Sequence, residues 1–268
     1  MKKIVYILAI VLLVLVFAVS AFLVGNYIVE SREQAEKNAA LSALKDSIKE
    51  TATQSTDPAE TTPEGTFSEA EFRDENGMLM EYSEIYAQNN DLVGWIRIDG
   101  TKLNYPVMQT PEHPNFYIDH DFEGKDSAWG AIYAREECDI YEPSDNITLY
   151  GHNMRDGSMF APLNDYVYKE TWENNPLIFF DTLYEYHVYK IFAVFKTEAT
   201  IGRGFKYHNM IDAENKEDFD QFIATAKELS FYDTGITPQY GDKIICLSTC
   251  DYSLENGRLV VAAVLRES

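Results

Sequence analysis

From Leu92 to Leu265 the chain falls into short β-prone runs separated by turn residues, and this rhythm constrains its fold most. Val93-Gly94-Trp95-Ile96-Arg97-Ile98 alternates, Asp99-Gly100 turns, and Leu103-Asn104-Tyr105-Pro106-Val107 resumes, which predicts a hairpin. Further runs follow at 130–135, 146–150, 176–181, 185–197, 243–249 and 258–265, with Gly, Asn, Pro or Asp between them. Such spacing predicts a mainly β protein with a closed or nearly closed mixed sheet, and speaks against βαβ layering. Two stretches depart from the rhythm. Glu214 to Tyr232 puts Phe219, Phe222, Ile223, Ala226 and Leu229 on one helical stripe, with acidic and basic residues opposite. Phe67 to Asn90 carries Leu79, Tyr82, Ile85 and Tyr86 at helical intervals and stops at Asn89-Asn90.

The residues before this domain are of another kind. Ile4 to Val24 is apolar apart from Ser20, and about 20 helical residues cross a hydrocarbon core. Lys2 and Lys3 precede it, and Glu30, Glu33 and Glu36 follow, which predicts an N-terminus in the cytoplasm and the rest outside. A cleaved signal peptide competes, with Ala18-Val19-Ser20 as its small-residue site, but the apolar run continues past that point. The expected division is a cytoplasmic tip (1–3), a single membrane anchor (4–24), a stalk (25–66) and a globular domain (67–268). Within the stalk, Glu30 to Glu50 is rich in Ala, Glu and Lys, while Thr51 to Thr66 has almost nothing apolar to bury.

Charge and cysteine usage narrow the partners. Of the formal −22, residues 1–66 hold six basic and eight acidic side chains, which leaves 16 against 36, or −20, on the domain. Such a surface repels nucleic acid and anionic headgroups; beyond that it speaks to solubility. The three cysteines, Cys138, Cys246 and Cys250, are an odd number. Cys246 and Cys250 share a strand face about 13 Å apart, too far to bridge, so a reduced set is expected, with Cys246 as core. No cofactor is expected: no carboxylates are spaced for calcium and no Cys/His set for zinc.

Chemistry concentrates in one constellation. Cys250 ends the apolar run Lys243-Ile244-Ile245-Cys246-Leu247, Glu255-Asn256-Gly257 turns, and Arg258 opens the next β-prone run. A strand–loop–strand therefore carries a thiol and a guanidinium to one end of a sheet. His152, in Tyr150-Gly151-His152-Asn153, supplies a base. A thiol needs a base or a cation to become a useful nucleophile, and acyl transfer needs positive charge near its oxyanion. Each has a bland alternative: buried filler for Cys250, a satisfied loop residue for His152, pairing with Asp251 or Glu255 for Arg258. Ser248 shares the face of Cys250, and Tyr150 stands in the same relation to His152, so both are candidates to line a substrate groove. Thr249 and Asp251 flank the thiol and offer backbone donors. His113, His120, His187 and His208 have no comparable context and read as surface or structural residues.

These residues resemble a sortase, and among sortases class B, from about Leu92 to Leu265. The family's Thr-Leu-x-Thr-Cys motif stands here as Cys246-Leu247-Ser248-Thr249-Cys250, the one departure being Cys246. Val93-Gly94-Trp95-Ile96, Tyr105-Pro106-Val107-Met108-Gln109, Tyr117 with Asp121-Phe122-Glu123-Gly124, and Tyr150-Gly151-His152-Asn153 are also similar to class B members. The resemblance implies the eight-stranded sortase β-barrel, with an N-terminal helix and a long helix between strands six and seven. It implies a transpeptidase of Gram-positive bacteria, with Cys250, His152 and Arg258 catalytic and no cofactor. In such an enzyme a surface protein is cut at an Asn-Pro-x-Thr-like C-terminal sorting signal, held as a thioacyl-enzyme, and passed to a peptidoglycan-precursor amine. By the same analogy, residues 198–211 wall the sorting-signal groove.

Two rival readings share most of these residues. A cysteine hydrolase of the cell wall would use the same thiol and imidazole with water as acceptor. A surface-anchored binding module would keep the barrel without a covalent step.

Overall fold

The computed structural model describes residues 2–54, 73–200 and 202–267, and falls into two units, 1–40 and 41–268. Helix α1 spans Lys2–Gln54 and contains the apolar run. It is the one helix among the described residues long and apolar enough to cross a membrane: a stretch of 18 residues in it has a mean hydropathy of 3.3, and side chains such as Leu13 and Phe17 are exposed.

In the second unit, β1 (Leu92–Arg97), β2 (Asn104–Met108), β3 (Ile132–Ala134), β4 (Asn146–Tyr150), β5 (Leu177–Thr182), β6 (Val188–Glu198), β7 (Ile244–Asp251) and β8 (Gly257–Glu267) close a barrel. The order around it is β1-β2-β3-β4-β7-β8-β6-β5. β2–β3 and β4–β7 are parallel, and the other pairs are antiparallel. The mixed closed sheet is the expected one, and each strand lies within a few residues of its run.

Strand β1 is buried from Leu92 to Ile96, and Gly94 lets the backbone of β5 approach it closely. A Cβ there would stand 2.2 Å from the Asp181 carbonyl oxygen. The predicted hairpin is β1–β2, with Trp95 opposite Pro106 and Ile96 opposite Tyr105. Helix α2 (Met80–Tyr86) is shorter than its apolar pattern; residues 67–72 lie outside the described ones, and Arg73 pairs with Leu79 across a turn instead of continuing a helix. Helix α3 (Lys169–Asn174) leads into β5.

Helix α4 (Lys216–Leu229) lies between β6 and β7, as expected. Asn215 caps it by accepting from the Asp218 amide at 3.0 Å, and Glu217 and Asp218 complement the positive end of its dipole. Phe219, Phe222, Ile223 and Ala226 are buried against Phe192, Phe195, Cys246, Val260 and Ala262. Leu229, placed on the same stripe by its spacing, is 40% exposed because the helix ends there.

The compact unit starts earlier than Phe67. Leu41 is buried, Leu44 packs in the cluster that holds Tyr82 and Trp95, and Lys45 Nζ lies 4.8 Å from the centre of the Trp95 ring. Asn104 donates to Ser42 Oγ at 2.9 Å, and Lys49 pairs with Glu81 at 3.3 Å. The Leu41, Leu44 and Lys45 spacing is the apolar stripe of one helix face. These residues, assigned to the stalk by composition, belong to the packed domain; the boundary expected near Phe67 itself lies outside the described residues.

Candidate active site

The site grows from the alternation of β7 and β8. Ile244 and Cys246 on β7, and Val260, Ala262 and Val264 on β8, pack in the cluster under α4. Two-residue periodicity carries that face on to Ser248 and Cys250 along β7, and back to Arg258 on β8. Cys250 and Arg258 are direct cross-strand partners in an antiparallel ladder running from Ile244–Val264 to Asp251–Gly257. Directly opposed residues have Cβ atoms about 4.5–5.5 Å apart. The pairing alone thus brings thiol and guanidinium together.

His152 arrives from β4, which runs parallel to β7 and pairs Tyr150 with Ser248. Beyond that pair the backbone turns away at Gly151, where a Cβ would meet Ile132 and Phe160 side-chain atoms at 2.4–2.8 Å. The His152 Nε2 lies 2.6 Å from the Ile118 carbonyl oxygen. A carbonyl only accepts, so Nε2 carries the hydrogen and Nδ1 is the ring position open to proton exchange.

One cleft of about 240 Å³ is lined by all three side chains. Tyr150, Ser248 and Thr249 line it too. Ser248 Oγ hydrogen-bonds Tyr207 Oη at 2.6 Å, and Thr249 Oγ1 donates to the Gly151 carbonyl at 2.8 Å. Asp251 does not line the cleft. One step along the strand from Cys250 it faces away, accepting from Lys196 Nζ at 2.6 Å and from the Ser253 amide at 2.9 Å. Burial alone would raise its carboxyl; the bonds from Lys196 and Ser253 outweigh that and hold it below the ordinary value. Lys196 is thus the partner that Asp251 has, while Arg258 Nη1 donates to the Gly257 carbonyl at 3.0 Å.

Other wall residues come from two segments, of which only 198–211 was expected, by the resemblance, to wall the groove. Asn115, Ile118 and Tyr133 come from the segment before β3 and from β3 itself; Ala199, Tyr207 and His208 come from the connection after β6. His208, expected to be a surface or structural residue, is part of the cleft wall. Burial, then the Arg135, Lys206 and Arg258 cations, push its imidazole below the ordinary value, so it is neutral at physiological pH. Arg135 donates to the His208 carbonyl at 2.9 Å and hydrogen-bonds Tyr150, whose phenol burial raises to about 12. Tyr133 and Tyr150 meet at a tilt of 41° with ring centres 5.4 Å apart, giving the cleft an uncharged aromatic wall. The other two thiols are inert by burial: Cys138 is pushed up to about 11 and Cys246 further still. All three cysteines are free, as expected.

A thiol, an imidazole and a guanidinium around one aromatic-walled cleft are the parts that acyl transfer needs. The Sortase domain family matches residues 96–266. The chain belongs to the sortase family. It is 32% identical to sortase B of Staphylococcus aureus over 185 residues, covering 68% of this chain and 73% of that protein. Sortase B of Listeria monocytogenes is 29% identical over 187 residues, covering 69% and 74%. The solved Staphylococcus aureus sortase B–substrate complex superposes with a TM-score of 0.73 at 26% identity, covering 89% of this chain and 99% of that one. The resemblance to class B and the eight-stranded barrel are thus both borne out. Family membership makes this sortase a cysteine transpeptidase of surface-protein anchoring.

Proposed function

We propose that this sortase cleaves an Asn-Pro-x-Thr-like C-terminal sorting signal and joins the new carboxyl end to a peptidoglycan-precursor amine. The observation that carries this reading is the single cleft shared by Cys250, His152 and Arg258. Cys250 Sγ attacks the threonyl carbonyl; the S–C bond forms, the peptide C–N bond breaks, and His152 delivers the thiol proton to the leaving amine. Arg258 hydrogen-bonds the carbonyl oxygen as it becomes an oxyanion, and it stays charged throughout. In the second half an amine attacks the thioester, His152 takes its proton, and the Cys250 thiolate leaves.

The aromatic wall and Ser248 fit a short extended peptide with neutral side chains. The apolar run of helix α1 supports a single-pass anchor over residues 4–24, and the flanking charges, Lys2 and Lys3 before it and Glu30 after it, support an N-terminus in the cytoplasm and the catalytic unit outside. The test is intact-mass analysis of the full chain in detergent micelles with a panel of pentapeptide sorting motifs. A thioacyl adduct on Cys250 is expected, and an added oligoglycine or stem-peptide amine should divert product from acid to amide. If amine changes neither rate nor product, the enzyme is a hydrolase; if no motif gives an adduct, the substrate class is wrong.

A further inference from the structure

The parallel pairing of β4 with β7 ends at Tyr150–Ser248, two residues short of His152 and Cys250. Past it, three bonds tie the strand ends. The Gly151 amide donates to the Ser248 carbonyl at 3.2 Å, Thr249 Oγ1 donates to the Gly151 carbonyl at 2.8 Å, and Asn153 Nδ2 donates to the Cys250 carbonyl at 2.9 Å. His152 sits between the two residues that are tied, Gly151 and Asn153. The nucleophile's own carbonyl is held by a side chain, because no backbone amide of the turned-away β4 end reaches it.

An amide side chain can do this only one way round, and a second amide sets which way. Asn164 Nδ2 donates to Asn153 Oδ1 at 2.8 Å and to the Ala161 carbonyl at 2.8 Å. With the Asn153 oxygen thus occupied, its NH₂ faces the Cys250 carbonyl and, at 3.3 Å, Asn164 Oδ1. The surrounding loop is closed as well: Asn153 pairs with Met159, and the Phe160 amide donates to the His152 carbonyl at 2.9 Å.

We infer that Asn153 is a positioning residue: its amide, oriented by Asn164, extends the β4–β7 pairing to the Cys250 carbonyl and so fixes imidazole against thiol. The inference rests on the proposed roles of Cys250 and His152. A neutral donor is required. Aspartate has the same shape but presents only acceptor oxygens to a carbonyl. A displacement near 1 Å between reacting groups can cost about 10²-fold in rate.

The test compares wild type with N153A, N153D and N164D as full chains in detergent micelles. Readouts are kcat and KM on a cleaved sorting peptide, thermal unfolding, and the pH profile of Cys250 alkylation by iodoacetamide, mapped by mass spectrometry. The expected result is a fall in kcat of about 10- to 100-fold with KM within about threefold, and a displaced alkylation profile. N164D should show the same pattern more weakly, because its carboxylate turns the Asn153 amide round. Superimposable alkylation profiles and unchanged kcat in N153D would overturn the proposal. So would activity lost only in proportion to unfolded protein. C250A run alongside separates the two levels: turnover there would sink the nucleophile assignment itself, whatever Asn153 does.

Discussion

The two halves of the site are built by different means. Cys250 and Arg258 face each other because they are ladder partners in β7–β8, so regular backbone hydrogen bonds set their spacing. His152 lies past the end of β4, where its place depends on a glycine turn, the Ile118 carbonyl and side chains reaching across from Thr249 and Asn153. The contrast teaches that a strand pair supplies the nucleophile and its cation almost without cost in special residues. A base recruited from a neighbouring strand needs several polar side chains to hold it.

The largest effect should come from the ladder half. Cys250→Ala is expected to lower turnover by on the order of 10³-fold or more while thermal unfolding stays near wild type. Retained turnover would break the comparison at its root. His152→Gln should follow, with a loss of about 10²- to 10⁴-fold in kcat and a flattened pH–rate profile. Arg258→Lys should cost about 10²-fold in kcat, because an ammonium lacks the planar fork that the cross-strand position presents. Wild-type rates in that variant would reduce Arg258 to a surface charge.

Smaller effects sharpen the picture around the site. Asp251 braces the turn between Cys250 and Arg258 through Lys196 and Ser253, and its folded carboxyl is held below the ordinary value. A depressed acid stabilises the fold fully above its unfolded pKa of about 3.9, and that stability is lost as pH falls through the lower folded value. Asp251→Asn should therefore cost about 1–2 kcal/mol at pH 7. The gap from wild type should narrow as pH falls below about 3.9, as read by thermal unfolding at pH 7 and in acid. An equal gap at both would assign the effect to packing. The smallest effect on catalysis should come from truncation. A chain beginning at Leu41 should keep the stability of the domain, whereas one beginning at Phe67 loses the cover of Trp95. The second should unfold at lower temperature with kcat within about threefold, since both halves of the site are left standing.

Sequence made the ladder half legible because its determinants are local. The apolar run through Leu247, the Glu255-Asn256-Gly257 turn and the run from Arg258 specify a hairpin, and a hairpin specifies the Cys250–Arg258 pairing. His152 was legible as a residue type in a matching context, but the bonds that seat it were not. The exact place of His208 in the wall is hidden in the sequence for a related reason. Its connection has no periodicity, and distant groups position it: Arg135 bonds its carbonyl, and Asn146 Nδ2 bonds the Tyr207 and Met210 carbonyls at 2.8 Å. The surroundings of Asp251 are hidden as well, because its partner Lys196 comes from β6, distant in sequence. Leu41 and Lys45 were hidden in an Ala- and Glu-rich stretch whose composition looks solvated until Trp95 is brought beneath it.

The most direct measurement is a crystal structure of the catalytic unit carrying an electrophilic sorting-motif peptide bonded to Cys250. The threonyl carbonyl oxygen should lie about 3 Å from the Arg258 guanidinium, with His152 Nδ1 turned toward the bond that would be broken. A carbonyl pointing into solvent, with Arg258 and His152 directed elsewhere, would contradict the account.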